Sequence, residues 1–276
     1  MSIKLGGDCM RQSEVFPYYR KCVEEMEMRY DTIRMMFSDG YVDELCKARG
    51  YIGDEQRNLI AQMELGSCVI EDVELLGDMR KELGLVSSKD NFLLNNRFVI
   101  RVDDMVGNLV ALIGYYPDEK KYITTPSPFF SKECMFFNFK QAYELAWSEY
   151  GGLVFLVEGI FDCLSLRSLG LPAIATMGSS VSKLKGELLK FFKKVIAIPD
   201  NDKTGRKAIN RYSKQGWKVP SNTTIVKFEG GLIDIGITKR VVKDMDNFVS
   251  WFDADDVRNT LLQFRDSKED VEILRL

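Results

Sequence analysis

Acidic residues stand at the ends of two apolar runs that lie far apart in the sequence. Glu158 follows the run Leu153–Val157, and Asp200 and Asp202 follow the run Val195–Ile198. If both runs are parallel strands of one sheet, their carboxyl ends meet at the same edge, and the three carboxylates converge there. Carboxylates this close repel one another unless a cation lies among them. Oxygen ligands of this kind suit Mg²⁺ or Mn²⁺, so the pattern indicates metal-dependent phosphoryl or nucleotidyl transfer.

Three further acids stand close to this pattern, and two of them have a structural alternative. Asp162 follows Glu158 by four residues and could add a ligand, but an Asp in the first turn of a helix also favours the helix dipole. A second Asp-x-Asp, Asp244 and Asp246, follows the next apolar run, and Asp246 is also a natural cap for a helix beginning at Asn247. A single Asp-x-Asp is typical of a solvated turn, and only the combination with Glu158 indicates metal chemistry.

The amino-acid composition excludes several kinds of catalytic and metal site. The chain of 276 residues has no histidine, which excludes histidine-based catalysis and histidine metal ligands. Its six cysteines are scattered without a Cys-x-x-Cys pair, so we expect reduced cysteines and no zinc site. The formal charge of −3 argues against nonspecific coating of nucleic acid. No run of eighteen apolar residues and no signal-peptide core occurs, so we expect a cytoplasmic protein without a membrane partner.

A basic segment follows the acids at 200 and 202. Between Lys203 and Lys227 there are seven basic residues and no acidic one, with Lys203 and Arg206 next to the Asp-x-Asp. Such a segment is often a solvated helix face. Beside a metal-bound phosphate it would instead hold the phosphate oxygens.

The pattern of apolar residues predicts an α/β protein with a parallel sheet. From residue 151 onward, short apolar strands alternate with helical segments, which is typical of a sheet covered on both faces. Upstream, a helical region precedes two apolar runs that form a predicted β-hairpin around Asp103, Asp104 and Gly107. We therefore predict an N-terminal helical and hairpin subdomain at residues 1–148, a parallel-sheet domain at 149–250, and a helical segment at 251–276.

The segments VEGIFDCLSLRSLG and VIAIPDNDKTGRKA resemble a TOPRIM domain, over roughly residues 151–250. Upstream, NNRFVIRV and KKYITTPSPFFSK resemble the basic subdomain of bacterial and phage DnaG-type primases, and ARGYI, MELG and ELGL resemble the helical lead-in to that core. The resemblance implies a Rossmann-like parallel sheet preceded by a helical and small β-containing subdomain.

The resemblance also implies roles for individual residues. Glu158, Asp200 and Asp202 would bind the catalytic Mg²⁺ or Mn²⁺, supported by Asp162, and Asp244 and Asp246 match a downstream acidic pair of the family. The residues that would contact nucleotide phosphates, the template or the growing strand are Arg97, Lys121 and Lys132.

Two positions depart from the family pattern, and two family domains have no counterpart among these residues. Tyr116 stands where an arginine is expected, and Thr124 stands where an asparagine usually follows Lys-Tyr. The family's zinc-binding and helicase-interaction domains are missing from the resemblance. We therefore expect initiation specificity to come from a separate template-recognition protein or from the first ninety residues, and we expect a phage or mobile-element origin.

The resemblance implies a DNA primase that copies single-stranded DNA into short RNA primers from nucleoside triphosphates, with a replicative helicase as a possible partner. One alternative is a TOPRIM nuclease that uses the same carboxylates to hydrolyse a phosphodiester. Another is a non-catalytic binding module of a replication complex. A topoisomerase is disfavoured because nothing here resembles a tyrosine-bearing strand-passage domain.

Overall fold

The chain divides into two units, Met1–Phe130 and Ser131–Leu276. The computed structural model describes residues 2–5, 8–35, 39–49, 54, 58, 66–68, 77–78, 86, 89, 91, 94, 97–117, 119, 121–125, 127, 129–178, 181–202, 222–229, 233–234, 239–240, 242–269 and 271–275.

The division after Phe130 comes earlier in the chain than the predicted boundary after residue 148. The helix Phe139–Glu149 accounts for the difference, because its buried residues Phe139 and Ala146 belong to the core of the second unit. The prolines and serines upstream of this helix mark the change of unit, whereas the prediction placed the change at the first strand after it.

The first unit is built mainly from a long helix and an antiparallel sheet. Its elements are β1 (Ser2–Leu5), β2 (Asp8–Arg11), α1 (Gln12–Met35), α2 (Asp39–Arg49), β3 (Gly66–Cys68), β4 (Arg97–Asp103), β5 (Leu109–Tyr116) and β6 (Lys121–Thr124). Strands β1 and β2 form an antiparallel pair, and strands β3 to β6 form a four-stranded antiparallel sheet in chain order.

The predicted hairpin is confirmed as strands β4 and β5. At their turn, Asp104 Oδ1 accepts hydrogen bonds from the backbone amides of Val106 and Asn108, both at 2.9 Å. Gly107 has a φ of +94°, a conformation that residues with a Cβ rarely adopt. The Tyr19 hydroxyl of α1 donates to Asp104, so the turn also anchors the long helix to the sheet.

The second unit is a parallel α/β sheet, as the strand and helix alternation predicts. The unit contains α3 (Phe139–Glu149), β7 (Leu153–Val157), α4 (Ile160–Ser168), β8 (Ala173–Ala175), α5 (Lys183–Leu189), β9 (Lys194–Ala197), β10 (Thr223–Glu229), β11 (Ile233–Asp234), β12 (Lys239–Arg240), α6 (Met245–Trp251), α7 (Ala254–Leu262), a 3₁₀ turn (Gln263–Asp266) and β13 (Val271–Arg275). The strand order in the parallel sheet is β13-β10-β9-β7-β8, and every neighbouring pair is parallel. Among the described helices, none is long and apolar enough to cross a lipid bilayer.

The C-terminal segment differs from the prediction of a purely helical stretch at 251–276. Helix α7 and the 3₁₀ turn are followed by strand β13, which pairs with β10 from Ile225↔Val271 to Glu229↔Arg275. The pairing partner lies more than forty residues upstream, so the short apolar pattern at the end of the chain gave no local sign of it. The sheet therefore extends beyond the predicted domain end at residue 250.

One face of the parallel sheet carries a continuous apolar core. Side chains from α3 and α5 pack there against side chains from strands β7 to β10, and each fully buried large side chain contributes roughly 1.5–3 kcal/mol of transfer free energy. The buried members of this core are Phe136, Phe139, Ala142, Ala146, Val154, Leu156, Ile174, Val181, Leu188, Leu189, Phe192, Val195, Ala197 and Ile225.

A lysine is buried next to this core. Lys185 on α5 is fully buried, and its Nζ donates to the backbone carbonyl of Thr176 at 2.6 Å, with the Phe136 ring centroid 5.2 Å away. Burial lowers the pKa of this amine to about 8, although the nearby Cys134 and Glu133 favour its charged form. The ammonium therefore destabilises the folded state at neutral pH, and the carbonyl of Thr176 offsets part of that cost.

We predict that Lys185 makes stability rise with pH between about 8 and 10.5. In that range the unfolded chain still binds the proton that the folded chain has released, so unfolding becomes less favourable as pH increases. Replacing Lys185 with Met removes this contribution, and the difference between wild type and variant should change by roughly 2–3 kcal/mol across the range. Urea unfolding at several pH values measures the difference in unfolding free energy between the two proteins. The other titrating groups are the same in both, so their contributions cancel in that difference. Parallel profiles for the two proteins would contradict the prediction.

Candidate metal centre

Two neighbouring parallel strands bring Glu158 and Asp200 together. Strand β7 pairs with β9 from Leu153↔Lys194 to Leu156↔Ala197, so both chains leave the sheet at the same edge. The backbone amide of Asp200 lies 3.4 Å from Glu158 Oε1, to which it donates. Glu158 is buried, Asp200 is half-buried and Asp202 is exposed. The edge therefore presents acids that range from the protein interior to the solvent.

The carboxylates at this edge interact electrostatically. Burial is the largest of the causes that raise the pKa of Asp200 to about 8, and the charges of Asp162, Glu158, Asp244 and Asp202 contribute to the same rise in that order. Burial also raises the pKa of Glu158, as does the charge of Asp202, whereas the backbone amide of Asp200 lowers it. Five of the six predicted acidic residues therefore belong to one mutually repelling cluster, with Asp200 at its centre.

The contacts of Asp162 match the role of a helix-start residue. Its Oδ2 accepts a hydrogen bond from the backbone amide of Gly159 at 3.1 Å, and its Oδ1 accepts one from the amide of Asp246 at 2.9 Å. A Cβ on residue 159 would lie 2.4 Å from Asp162 Oδ2, so glycine is required for this approach. Asp162 thus links the beginning of α4 to the beginning of α6. A direct role in binding metal remains a prediction.

The second Asp-x-Asp lies at the beginning of α6. The prediction that Asp246 caps the helix is wrong, because the helix begins at Met245 and Asp244 is its cap, with Oδ1 accepting from the Asn247 amide at 2.8 Å. Asp246 lies inside the first turn and is 2% exposed. Its Oδ1 accepts a hydrogen bond from the Ser165 hydroxyl at 2.5 Å. The charge of Asp244 therefore acts on the acidic cluster, whereas Asp246 is buried between α4 and α6.

The donor set at this edge fits a hard divalent cation. All of its candidate ligands are carboxylate oxygens, which Mg²⁺ and Mn²⁺ prefer, and a cation among them would relieve the repulsion that raises the pKa of Asp200. Within the described ranges, no three acidic or cysteine side chains are already arranged as a complete set of metal ligands. The fit therefore rests on ligand chemistry and charge.

The predicted basic residues divide between the two units. In the first unit, Arg97 Nη1 donates to the carbonyl of Lys121 at 3.4 Å, and the Arg97 guanidinium lies 5.5 Å from the centroid of the Tyr116 ring. The Lys121 ammonium forms an ion pair with Glu119. Tyr116 stands where the family pattern has an arginine. Here its ring lies against the guanidinium of Arg97, which reaches across the strands to Lys121. Lys132 is an exposed residue in the second unit.

Lys203 and Arg206 lie outside the described residues, as does most of the basic segment that begins with them. Sequence reasoning also missed two residues that contact the acidic loops, Ser165 and Asn201. Asn201 donates through its backbone amide to the Lys243 carbonyl and through its side chain to the Val242 carbonyl. The only local sign of a role for Asn201 is its position between two aspartates. Because turn-forming residues are common at such positions, this position alone does not indicate a contact between loops.

Comparisons with known proteins agree with this geometry. A protein-family profile described as Toprim-like matches residues 155–235. The DNA primase of Thermotoga maritima is 31% identical over 203 residues, which cover 69% of this chain and 34% of that protein. The crystal structure of the zinc-binding and RNA polymerase domains of Aquifex aeolicus primase matches with a TM-score of 0.65 at 23% identity, over 91% of this chain and 62% of that one. A DnaG primase catalytic domain bound to single-stranded DNA matches with a TM-score of 0.64 at 17% identity, over 89% and 79% of the two chains.

The chain spans a quarter to a third of the length of the curated DNA primases that it matches. The similarity in sequence reaches across both units, and the similarity in structure covers nearly the whole chain. The resemblance found in the sequence is confirmed: the chain has the fold of a DnaG-type primase catalytic core, with a Toprim-like domain in its second unit.

Proposed function

We propose that this chain is the catalytic core of a DNA primase that copies single-stranded DNA into short RNA primers. The observation that carries the proposal is the cluster around Asp200, where neighbouring parallel strands bring acids together and where burial, with the charges of those acids, raises the pKa of that carboxyl to about 8. Similarity to DNA primases and the Toprim-like match support the same activity. Nucleoside triphosphates are the substrates, and a primase of this kind acts in the cytoplasm of a bacterium or of an infected host cell.

The residues that would hold Mg²⁺ or Mn²⁺ are Glu158, Asp200 and Asp202, with Asp244 beside them. When bound, a divalent cation neutralises charge on the triphosphate and on the attacking 3′-oxygen. The contributions of the chain itself are positional. The pairing of β7 with β9 sets the distance between Glu158 and Asp200, and the backbone amide of Asp200 orients the Glu158 carboxylate.

The phosphates and the template are the proposed ligands of the basic residues. The guanidinium of Arg97 is held against Tyr116 and the Lys121 backbone, so it presents a fixed planar donor to a phosphate. Lys121 and Lys132 are exposed residues whose ammonium groups would contact phosphates as point charges, Lys121 by exchanging its ion pair with Glu119 for one with a phosphate. The related catalytic domain bound to single-stranded DNA supports that nucleic acid as the template. A helicase or a separate template-recognition protein would supply targeting, which fits a phage or mobile-element origin.

We predict that replacing Asp200 with Asn abolishes primer synthesis while the protein stays folded. The amide keeps the size of the side chain but loses the charge that a divalent cation requires, so we expect a loss of at least about 10²-fold in rate. The assay combines single-stranded DNA, labelled nucleoside triphosphates and Mg²⁺ or Mn²⁺, with products resolved on a denaturing gel. The matched control is Asp253→Asn, which removes a carboxylate that caps α7 through the amides of Asp255 and Asp256.

Short products from wild type and from the Asp253 variant, and none from the Asp200 variant, would support the proposal. Equal synthesis by all three proteins would contradict the assignment of Asp200. Degradation of the template in place of synthesis, also lost in the Asp200 variant, would replace the primase proposal by a nuclease that uses the same carboxylates.

We also predict that Asp200→Asn stabilises the metal-free protein at pH 8. A carboxyl whose folded-state pKa is raised from 3.8 to about 8 contributes stability that is fully present below about pH 4 and is lost as pH rises to 8. The amide escapes this loss, so the stability advantage of the variant over wild type should be roughly 3–4 kcal/mol larger at pH 8 than at pH 5. Urea unfolding in EDTA at both pH values measures the difference.

Added Mg²⁺ provides the control for this second prediction. It should raise the stability of wild type at pH 8 and leave the Asp200 variant nearly unchanged, since the variant lacks the carboxylate at the centre of the cluster. A variant that is less stable than wild type in EDTA at pH 8 would show that Asp200 is not under repulsion.

A further inference from the structure

The two Asp-x-Asp pairs lie in two separate loops of the second unit, each next to a different strand or helix. The first loop, Pro199–Asp202, follows β9. We define the second loop as the segment Val242–Asn247, which comprises the residues before α6 and the first turn of that helix. Asp200 and Asp244 interact electrostatically although they belong to different loops. Their separation therefore depends on what holds one loop against the other.

Asn201 makes two hydrogen bonds from the first loop to the second. Its backbone amide donates to the carbonyl of Lys243 at 2.5 Å, and its side-chain Nδ2 donates to the carbonyl of Val242 at 3.1 Å. One residue thus satisfies two consecutive carbonyls of the opposite loop. Two bonds to adjacent acceptors fix both the distance and the orientation of a loop, which a single bond does not.

The other end of the second loop is held from α4. The Asp162 carboxylate accepts the amide of Asp246 at 2.9 Å, and the Ser165 hydroxyl donates to the Asp246 carboxylate at 2.5 Å. Asp244 lies between these contacts and the carbonyls held by Asn201. Its carboxylate is further oriented by the Asn247 amide. The hydrogen bonds of Asn201 therefore help to set the position of Asp244 relative to Asp200 and Asp202.

The chemistry of asparagine suits this place better than that of the alternatives. Its amide nitrogen is a donor, which the carbonyl of Val242 requires, and it is neutral, so it adds no charge to the acid cluster. An aspartate would direct an oxygen at that carbonyl, and an alanine would leave the carbonyl without this donor. Asparagine is also well tolerated in tight turns.

We propose that Asn201 is a positioning residue that aligns the loop of Asp244 with the loop of Asp200 and Asp202, so that carboxylates from both loops bind the same divalent cation. The inference rests on the proposed metal-dependent function and deepens it, because it names the contact that makes one site out of two acidic pairs. Asn201 itself does not touch the cation. Its effect passes through the carbonyls of Val242 and Lys243.

The test compares Asn201→Ala with a matched control, Asn222→Ala, in the full chain. Asn222 Nδ2 donates to the carbonyl of Phe192 at 2.7 Å, the same kind of bond, at the amino-terminal edge of the same sheet. Each variant loses one side-chain hydrogen bond, worth about 1 kcal/mol, so both should stay folded. The first readout is Mn²⁺ affinity by electron paramagnetic resonance, and the second is amide hydrogen exchange of residues 242–247 in EDTA.

We expect the Asn201 variant to bind Mn²⁺ about tenfold more weakly than wild type, as is usual when an outer-shell partner is lost. Exchange at residues 242–247 should become faster, while the Asn222 variant keeps wild-type affinity and wild-type exchange there. In primer synthesis, the Asn201 variant should need about tenfold more Mn²⁺ for half-maximal rate and approach the wild-type rate at saturation.

Mn²⁺ affinity within twofold of wild type in the Asn201 variant would overturn the inference, whatever the exchange data show. An equal loss of affinity in both variants would overturn it too, because general destabilisation would then be the cause. A wild-type protein that binds no Mn²⁺ would refute the cation site and this inference with it. Affinity that depends on Asn201 in a protein that makes no primers would support the inference and overturn the primase proposal.

Discussion

The repulsion among carboxylates at one edge of the parallel sheet is the constraint on which the candidate site depends. Strands β7 and β9 are adjacent and parallel, so the residues that follow them cannot separate. Burial then removes much of the water that would screen the charges, and the pKa of Asp200 rises to about 8. Isolated acids on the surface would not show this behaviour. The fold therefore keeps a charge arrangement that costs stability, which proteins do at sites of function.

The hydrogen bonds around the cluster explain how such an arrangement is kept in place. Asp162, Ser165 and Asp246 join α4 to α6 on one side, and Asn201 joins the two acidic loops on the other. Behind them, the apolar core of α3 and α5 holds the strands from which the loops emerge. The loops thus follow directly on strands that are held by an apolar core, and the acidic groups gain their order from packing that contains no charged groups of the cluster.

Much of this could be predicted from the sequence, because its signals are local. Apolar runs that alternate with helical segments indicate a parallel sheet, and acids directly after two runs indicate a common edge. The contact between Asp162 and Asp246 could not be predicted, since it joins residues 84 positions apart through a backbone amide. Helix α6 begins at Met245 and not at Asn247, so its cap is Asp244 and not Asp246. Strand β13 and the burial of Lys185 also depend on residues that are distant in the sequence, and the spacing of apolar residues within a segment does not reveal such partners.

The most direct test of the cation site is the anomalous scattering of Mn²⁺ in crystals of this protein soaked with the ion. We predict a difference peak within about 2–2.5 Å of carboxylate oxygens of Glu158, Asp200 or Asp202. A peak that also touches Asp244 would show that both acidic loops share the ion. No peak at this edge under conditions where the protein makes primers, or a peak only at exposed acids such as Asp255 and Asp256, would contradict the central claim that the sheet edge is a metal centre.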